Sequence, residues 1–221
     1  MKKIVVFVAA LLIGFVVTAQ DKKVDTEKKS AISFNIGPAM PLGDFESTNE
    51  DNENAGFAKT GFHFNLNYDY KFVKNAGVAF NFLYGYHNLH KELLNELLPG
   101  TDMNHYQYVG FLVGPMFRGE LSPKTDINFR LMGGVGRANS PEFAYQGETL
   151  MKEDWASAFA IKFDADVRFN MKKNVFFLVN LGYTQMRPEF EIKELSGWFG
   201  DNKFEMHISA LNVNAGMGVK F

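Results

Sequence analysis

The sequence predicts an all-β chain that folds as an eight-stranded antiparallel up-and-down transmembrane β-barrel. Three observations predict it: apolar and polar residues alternate with a period of two, the alternating segments are joined by links that are short and long in turn, and the N-terminus has a short apolar run behind two lysines. The chain has 23 Phe and 8 Tyr but no second long apolar run. Its apolar residues are therefore interleaved with polar ones.

The N-terminal element is the apolar run of residues 4–17, which follows Lys2 and Lys3 and ends in Val17-Thr18-Ala19. It is shorter than the roughly 18 to 20 apolar residues of a spanning helix, and this pattern is typical of a signal peptide. We therefore expect a signal peptide at 1–19, a charged periplasmic segment at 20–30 and the barrel at 31–221. The chain has no cysteine, which excludes a lipoprotein anchor, a disulfide and a thiolate site.

The strand pattern is clearest in residues 60–72. Alternate side chains of a β-strand point to opposite faces. One face of this segment has Phe62, Phe64, Leu66, Tyr68 and Tyr70, and the other has His63, Asn65, Asn67 and Asp69. The predicted strands are residues 31–40, 60–72, 77–86, 106–120, 126–137, 157–170, 175–186 and 204–221.

The links between these strands alternate in length. The short ones are 73–76, 121–125 and 171–174; the long, polar ones are 41–59, 87–105, 138–156 and 187–203. Outer-membrane barrels have short turns on the periplasmic side and long loops outside. An even number of strands then puts both chain ends in the periplasm.

The predicted inner face carries charges of both signs. These are Asp69, Arg118, Arg130, Lys162, Asp164, Asp166 and Arg168. Eight strands enclose room only for side chains or one small ligand, which excludes a wide pore. Buried charges persist when they are paired, so we predict a polar plug in which Asp166 pairs with Arg130, with Arg118, Arg168 or Asp164 as the other partners that the stagger of the strands would allow. A narrow ion or solute path through this plug is the alternative.

The last strand alternates up to an aromatic C-terminal residue, with Met217, Val219 and Phe221 on one face. This end and the strand pattern resemble the small OmpA-like and PorT-like outer-membrane barrels, over nearly the whole mature chain. The resemblance implies export through the periplasm to the bacterial outer membrane, with lipid and lipopolysaccharide around the barrel. It also implies that barrel-assembly machinery recognises the C-terminal signal. No cofactor or metal is expected, and the net charge of −2 gives no reason to expect nucleic acid.

Two of the long links contain candidate contact residues. Leu89, Leu93, Leu94 and Leu97 recur at helical spacing, which predicts a short amphipathic helix on the barrel mouth or the membrane surface, or one packed on its own neighbours. In the last link, residues 189–193 alternate and Trp198-Phe199 follows. This predicts a hairpin extension of the last two strands, whose aromatic tip binds a protein or lies in the outer headgroup belt.

Histidines mark two possible chemical sites. His87, His90 and His105 share one predicted loop with Glu92 and Asp102, although surface histidines of this kind are usually solvated rather than bound to metal. His207-Ile208-Ser209 resembles the histidine-x-serine pair of PagL-type lipid A deacylases. That resemblance implies an imidazole base and a serine nucleophile, with Glu205 as a substitute acid because no acid follows Ser209. Ala210 stands where that family has Asn.

The function predicted from these features is that of a non-enzymatic barrel. Its loops would face outward for adhesion, for envelope stabilisation or as part of a larger outer-membrane complex with protein partners. The alternatives are a lipid A deacylase that uses His207 and Ser209, and a narrow ion or solute channel.

Overall fold

The structure is a computed structural model that describes residues 28–49, 51–52, 54–97, 99–171, 174–191 and 203–221. The predicted signal peptide and most of the charged segment after it lie outside these ranges. The same is true of Trp198 and Phe199.

Eight long strands form a closed antiparallel barrel. They are β1 (Ser30–Pro41), β2 (Gly61–Lys71), β3 (Ala76–His87), β5 (Tyr106–Ser122), β6 (Thr125–Ser140), β9 (Asp154–Asn170), β10 (Val175–Met186) and β13 (Ile208–Lys220). Each strand pairs with its neighbours along the chain, and β1 pairs with β13 to close the ring. The predicted fold class and strand number are confirmed.

The closing seam joins the two ends of the described chain. Ala31 lies opposite Lys220, and Ser30 and Phe221 exchange both backbone hydrogen bonds at 2.9 Å. Closure leaves no strand edge, which is how backbone groups are satisfied in lipid. We call this end of the barrel, with the short links 72–75, 123–124 and 171–174, the turn end. The opposite end, with links 42–60, 88–105, 141–153 and 187–207, is the loop end.

The outward face of the barrel is apolar, as the alternation predicts. Phe111 and Phe159 are 69% and 68% exposed, and Leu66 and Phe163 are also exposed. Monomeric soluble proteins rarely expose apolar patches larger than a few hundred Å². An apolar outward face around a closed barrel is instead the surface that lipid covers. Among the described residues, no helix has the length and apolar character needed to cross a membrane.

Several strand ends differ from the sequence-based limits. The last strand begins at Ile208 rather than at residue 204, and residues Lys203–Glu205 form a separate strand, β12, that pairs with β11 (Glu189–Glu191). The pairing of β11 with β12 is separate from that of β10 with β13. Between the two, the Met206 N–H donates to the Pro188 carbonyl at 3.0 Å. β6 continues to Ser140 and β9 begins at Asp154, so both strands are longer than predicted. The alternation of apolar and polar residues did not show that the backbone pairing of these strands continues beyond the alternating segment.

The loops at the loop end have ordered structure of their own. β4 (Thr101–Met103), β7 (Phe143–Tyr145) and β8 (Glu148–Met151) form a three-stranded sheet that joins the second and third loops. The predicted helix is present as α1 (Lys91–Leu97). Leu94 packs against the apolar cluster described below, whereas Leu93 is 38% exposed. The structure does not describe the side chain of Leu97.

Candidate functional site: the barrel interior and its two ends

The barrel interior has two halves of different chemistry. The half near the turn end contains a charged network, and the half near the loop end contains mainly apolar side chains. All seven charged residues predicted for the interior are buried. Because successive side chains of a strand point to opposite faces, every second residue of each strand points into this interior.

Asp69 of β2 is the centre of the charged network. Its carboxylate accepts hydrogen bonds from Arg118 Nη2 at 3.1 Å, from Arg130 Nε at 2.9 Å and from Arg168 Nη2 at 2.6 Å. One carboxylate therefore links three strands besides its own. Such charge-assisted bonds are about twice as strong as neutral ones.

Asp166 of β9 is the second carboxylate of the network. It accepts two hydrogen bonds from Arg130, from Nη1 at 2.7 Å and from Nη2 at 3.0 Å, and two from Arg168, from Nε at 3.0 Å and from Nη2 at 2.9 Å. Asn180 Nδ2 donates to it at 3.1 Å. The structure thus contains the predicted Asp166–Arg130 pair, and Arg130 bridges Asp166 to Asp69.

Lys162 and Asp164 form a separate ion pair on the same strand. Lys162 Nζ lies 2.6 Å from Asp164 Oδ1, and both side chains are fully buried. Arg130 Nη1 approaches Asp164 only to 4.0 Å. With this pair included, the buried charges predicted for the interior are four cations, Arg118, Arg130, Lys162 and Arg168, and three carboxylates.

Asparagines surround the charged network. Asn65 donates to Asn35 at 2.8 Å, Asn81 donates to Asn67 at 2.8 Å, and Asn214 donates to Asn180 at 3.0 Å. These hydrogen bonds between side-chain amides join neighbouring strands around the ring. They provide a partner for at least one polar atom of each of these buried side chains.

Apolar side chains fill much of the interior toward the loop end, and the sequence analysis missed this part of the interior. Leu83, Tyr108, Met132 and Met186 are among its buried members. Phe45, from a 3₁₀ turn in the first loop, enters the barrel mouth and is fully buried, with its ring centre 5.1 Å from that of Tyr106. The available signal was that β5 begins with apolar residues on both faces, Tyr106 and Tyr108 inward and Val109 and Phe111 outward.

The structure does not group the three histidines that the sequence offered as a possible but disfavoured metal site. His87 is the last residue of β3 rather than a loop residue; it is buried against Phe45, and its Nδ1 lies 3.0 Å from the Lys59 carbonyl oxygen. Asp102 instead pairs with Lys91 at 2.9 Å, and this hydrogen bond and positive charge lower the pKa of the Asp102 carboxyl. Within the described ranges, no three His, Cys, Asp or Glu side chains are grouped to hold a metal ion.

His207 and Ser209 face outward near the loop end, but they are not hydrogen-bonded to each other. His207 Nε2 contacts Glu205 at 2.7 Å and its Nδ1 contacts Asp44 at 3.0 Å, whereas Ser209 Oγ donates to the Leu42 carbonyl at 2.7 Å. A serine nucleophile needs its base within hydrogen-bond reach. The predicted His207–Glu205 contact is present. However, His207 and Ser209 each contact the first loop, and together they hold that loop against β13.

The hairpin extension of the last two barrel strands is confirmed in its described part. β11 and β12 pair over three residues on each side. Phe190 is buried and packs on Phe204 with 5.2 Å between ring centres, and Lys203 pairs with Glu189 at 2.7 Å. The predicted aromatic tip, Trp198 and Phe199, lies outside the described residues.

At the turn end, the C-terminal side chains face outward, and a pocket opens into the barrel. Met217, Val219 and Phe221 are exposed on the apolar outer face.

The pocket has a volume of about 350 Å³ and is lined by residues that include Lys71, Lys74, Arg118, Asp126 and Lys220. We refer to it as the turn-end pocket.

The fold is similar to that of solved outer-membrane proteins. Ail, the attachment invasion locus protein of Yersinia pestis, has a TM-score of 0.50 and 18% identity, covering 89% of this chain and 100% of Ail. Neisserial surface protein A has a TM-score of 0.51 and 13% identity, covering 87% and 97%. The outer membrane protein OprG from Pseudomonas aeruginosa has a TM-score of 0.53 and 13% identity, covering 90% and 99%.

Identities this low show a shared fold and nothing finer. No family model matches the sequence, and no curated protein sequence matches it. This chain forms a closed ring of eight antiparallel strands with an apolar outer face and a polar inner network. The chain is therefore a small eight-stranded β-barrel of the bacterial outer-membrane type.

Proposed function

We propose that the protein is a non-enzymatic outer-membrane barrel whose loop end faces outward and binds a protein partner. The partner belongs either to a larger outer-membrane complex or to a surface to which the cell adheres. The observation that supports this most directly is that the four loops are folded onto one another and onto the barrel mouth. Recognition residues concentrate on loops that a rigid scaffold holds.

The contacts that organise the loop end come from every loop. Thr101 of the second loop lies opposite Tyr145 of the third, Phe45 of the first loop fills the barrel mouth, and Phe190 of the fourth is buried in the same apolar cluster. A surface ordered in this way before binding loses less conformational freedom when a partner docks. This preorganisation supports a binding role.

The charge of the loop end indicates the kind of partner. Among the described residues of the loop end, exposed carboxylates outnumber exposed cations, and they include Glu46, Asp51, Glu92, Glu96 and Glu148. Complementary charge increases the rate and specificity of protein association. We therefore propose a partner whose contact surface is basic.

Affinity purification from the native membrane, followed by reconstitution with the purified partner, tests this proposal. We expect binding that weakens as salt is raised and that Glu96→Lys weakens further. The matched control is Glu120→Lys, the same charge change at an exposed site at the turn end. Binding that is indifferent to Glu96→Lys, or equally weakened by Glu120→Lys, contradicts the proposal.

A further inference from the structure

The turn-end pocket lies at the opposite end of the barrel from the proposed partner surface. Of the residues that line it, five are cationic and two are acidic. One of the two acids, Asp126, is already paired with Lys220. The pocket is therefore a concave surface with an excess of positive charge.

The buried network behind the pocket has the same imbalance. Three guanidinium groups share the two carboxylates Asp69 and Asp166, because Asp164 is held by Lys162. An uncompensated buried cation is strongly unfavourable. A negative charge at the pocket would offset this excess.

Arg118 is the network member that reaches the pocket. It is 6% exposed and lines the pocket wall, and its Nη2 donates to Asp69 at 3.1 Å. Its Nε is buried and has no hydrogen-bond partner among the described residues. Several other buried polar atoms of the interior also have no such partner, but Arg118 is the residue of the charged network that lines the pocket, where an anion would supply an acceptor.

We propose that the turn-end pocket binds a phosphate group. The cations that line it are of two kinds, Arg118 with its flat guanidinium and lysines from separate elements, Lys71 and Lys220 at strand ends and Lys74 in a turn. A tetrahedral anion with several acceptor oxygens can accept hydrogen bonds from these different directions at once. Arginine and lysine are the side chains that proteins use for such anions.

The surroundings of the pocket suit either of two sources of phosphate. Val73, Leu121 and Met171 are exposed apolar side chains in or next to the short links at this end. Apolar side chains at these turns keep the pocket close to the membrane surface, where phospholipid headgroups lie. A soluble phosphate could equally reach the pocket from the aqueous side.

Calorimetric titration of the purified mature chain, in phosphate-free detergent at constant ionic strength, tests the site. Inorganic phosphate and glycerol phosphate are the probes. We expect one saturable site whose affinity Lys74→Ala lowers about fivefold, as expected for the loss of one cation near a phosphate. Lys124→Ala removes the same charge from an exposed position in another short turn, which does not line the pocket. It should change the affinity less than about twofold.

A second measurement identifies the source. Native mass spectrometry of protein extracted gently from membranes should reveal one retained phospholipid, lost in Lys74→Ala, if a headgroup occupies the site. Saturable binding of inorganic phosphate without a retained lipid assigns the site to a soluble anion. If neither probe binds and no lipid is retained, or if Lys124→Ala weakens binding as much as Lys74→Ala, the proposal is wrong.

Discussion

Arg130 of β6 forms a two-bond ion pair with Asp166 of β9, at 2.7 and 3.0 Å, although the two residues are not opposite each other in the ladder. Asp166 lies opposite Asn128, and Arg130 lies opposite Asp164. The Arg130 side chain therefore leans one step toward the turn end. By doing so it also reaches Asp69, on the far side of the ring.

This pair predicts strong coupling in a double-mutant cycle. Asp166→Ala should destabilise the barrel by about 3 to 5 kcal/mol because it leaves buried guanidinium groups with one carboxylate fewer. In the double variant Asp166→Ala with Arg130→Ala, the loss of stability should be smaller than the sum of the two single losses by at least about 1 kcal/mol. Urea unfolding, followed by heat-modifiable gel migration, measures both. Additive losses would contradict a direct interaction.

The outward face predicts a depth-dependent cost of charge. Phe163 lies near the middle of β9 and is exposed on the apolar face. Phe163→Arg should cost about 2 to 4 kcal/mol in a bilayer, since a cation there loses its hydration. Phe163→Leu is the matched control and should be nearly neutral. Equal stability of the two variants in bilayers would show that lipid does not cover this face.

The proposed orientation predicts which sites a membrane-impermeant thiol reagent can reach. The chain has no cysteine, so single introduced cysteines have no background. Thr48→Cys and Asn95→Cys at the loop end should be labelled on intact cells, whereas Lys74→Cys and Lys124→Cys at the turn end should be labelled only after permeabilisation. Labelling of the turn-end sites on intact cells would reverse the orientation.

Phe45 predicts a link between the first loop and the barrel mouth. Phe45→Ala should cost about 3 to 5 kcal/mol, because it opens a cavity at a fully buried site. The first loop should also become more sensitive to trypsin at Lys59. Thr48→Ala, an exposed change in the same loop, is the control. Unchanged cleavage in Phe45→Ala would mean that the loop is held without this contact.

The contacts of Ser209 predict a structural effect rather than hydrolysis. Ser209→Ala removes the hydrogen bond to the Leu42 carbonyl and should lower stability by about 1 kcal/mol. Purified protein should release no acyl chain from lipid A, with or without the substitution. Acyl release that Ser209→Ala abolishes would instead support the deacylase alternative.

The sequence by itself determined the features that depend on local alternation. Period two along residues 60–72 and 157–170 predicted which side chains face outward, and the alternating link lengths predicted the strand number. Both follow from the backbone of a single strand, in which successive side chains point to opposite faces. The predicted charged set, from Asp69 to Arg168, followed from the same rule.

Only the tertiary structure decided which of these side chains meet. Asp69 and Arg168 are 99 residues apart and are joined at 2.6 Å, and Phe45 and Asp44 reach the barrel mouth and His207 from a loop with no repeating pattern. The stagger of the strands sets these contacts, and stagger is a property of the closed ring as a whole. No single strand carries that information, so the position of a charge on the inner face was predictable while its partner, in most cases, was not.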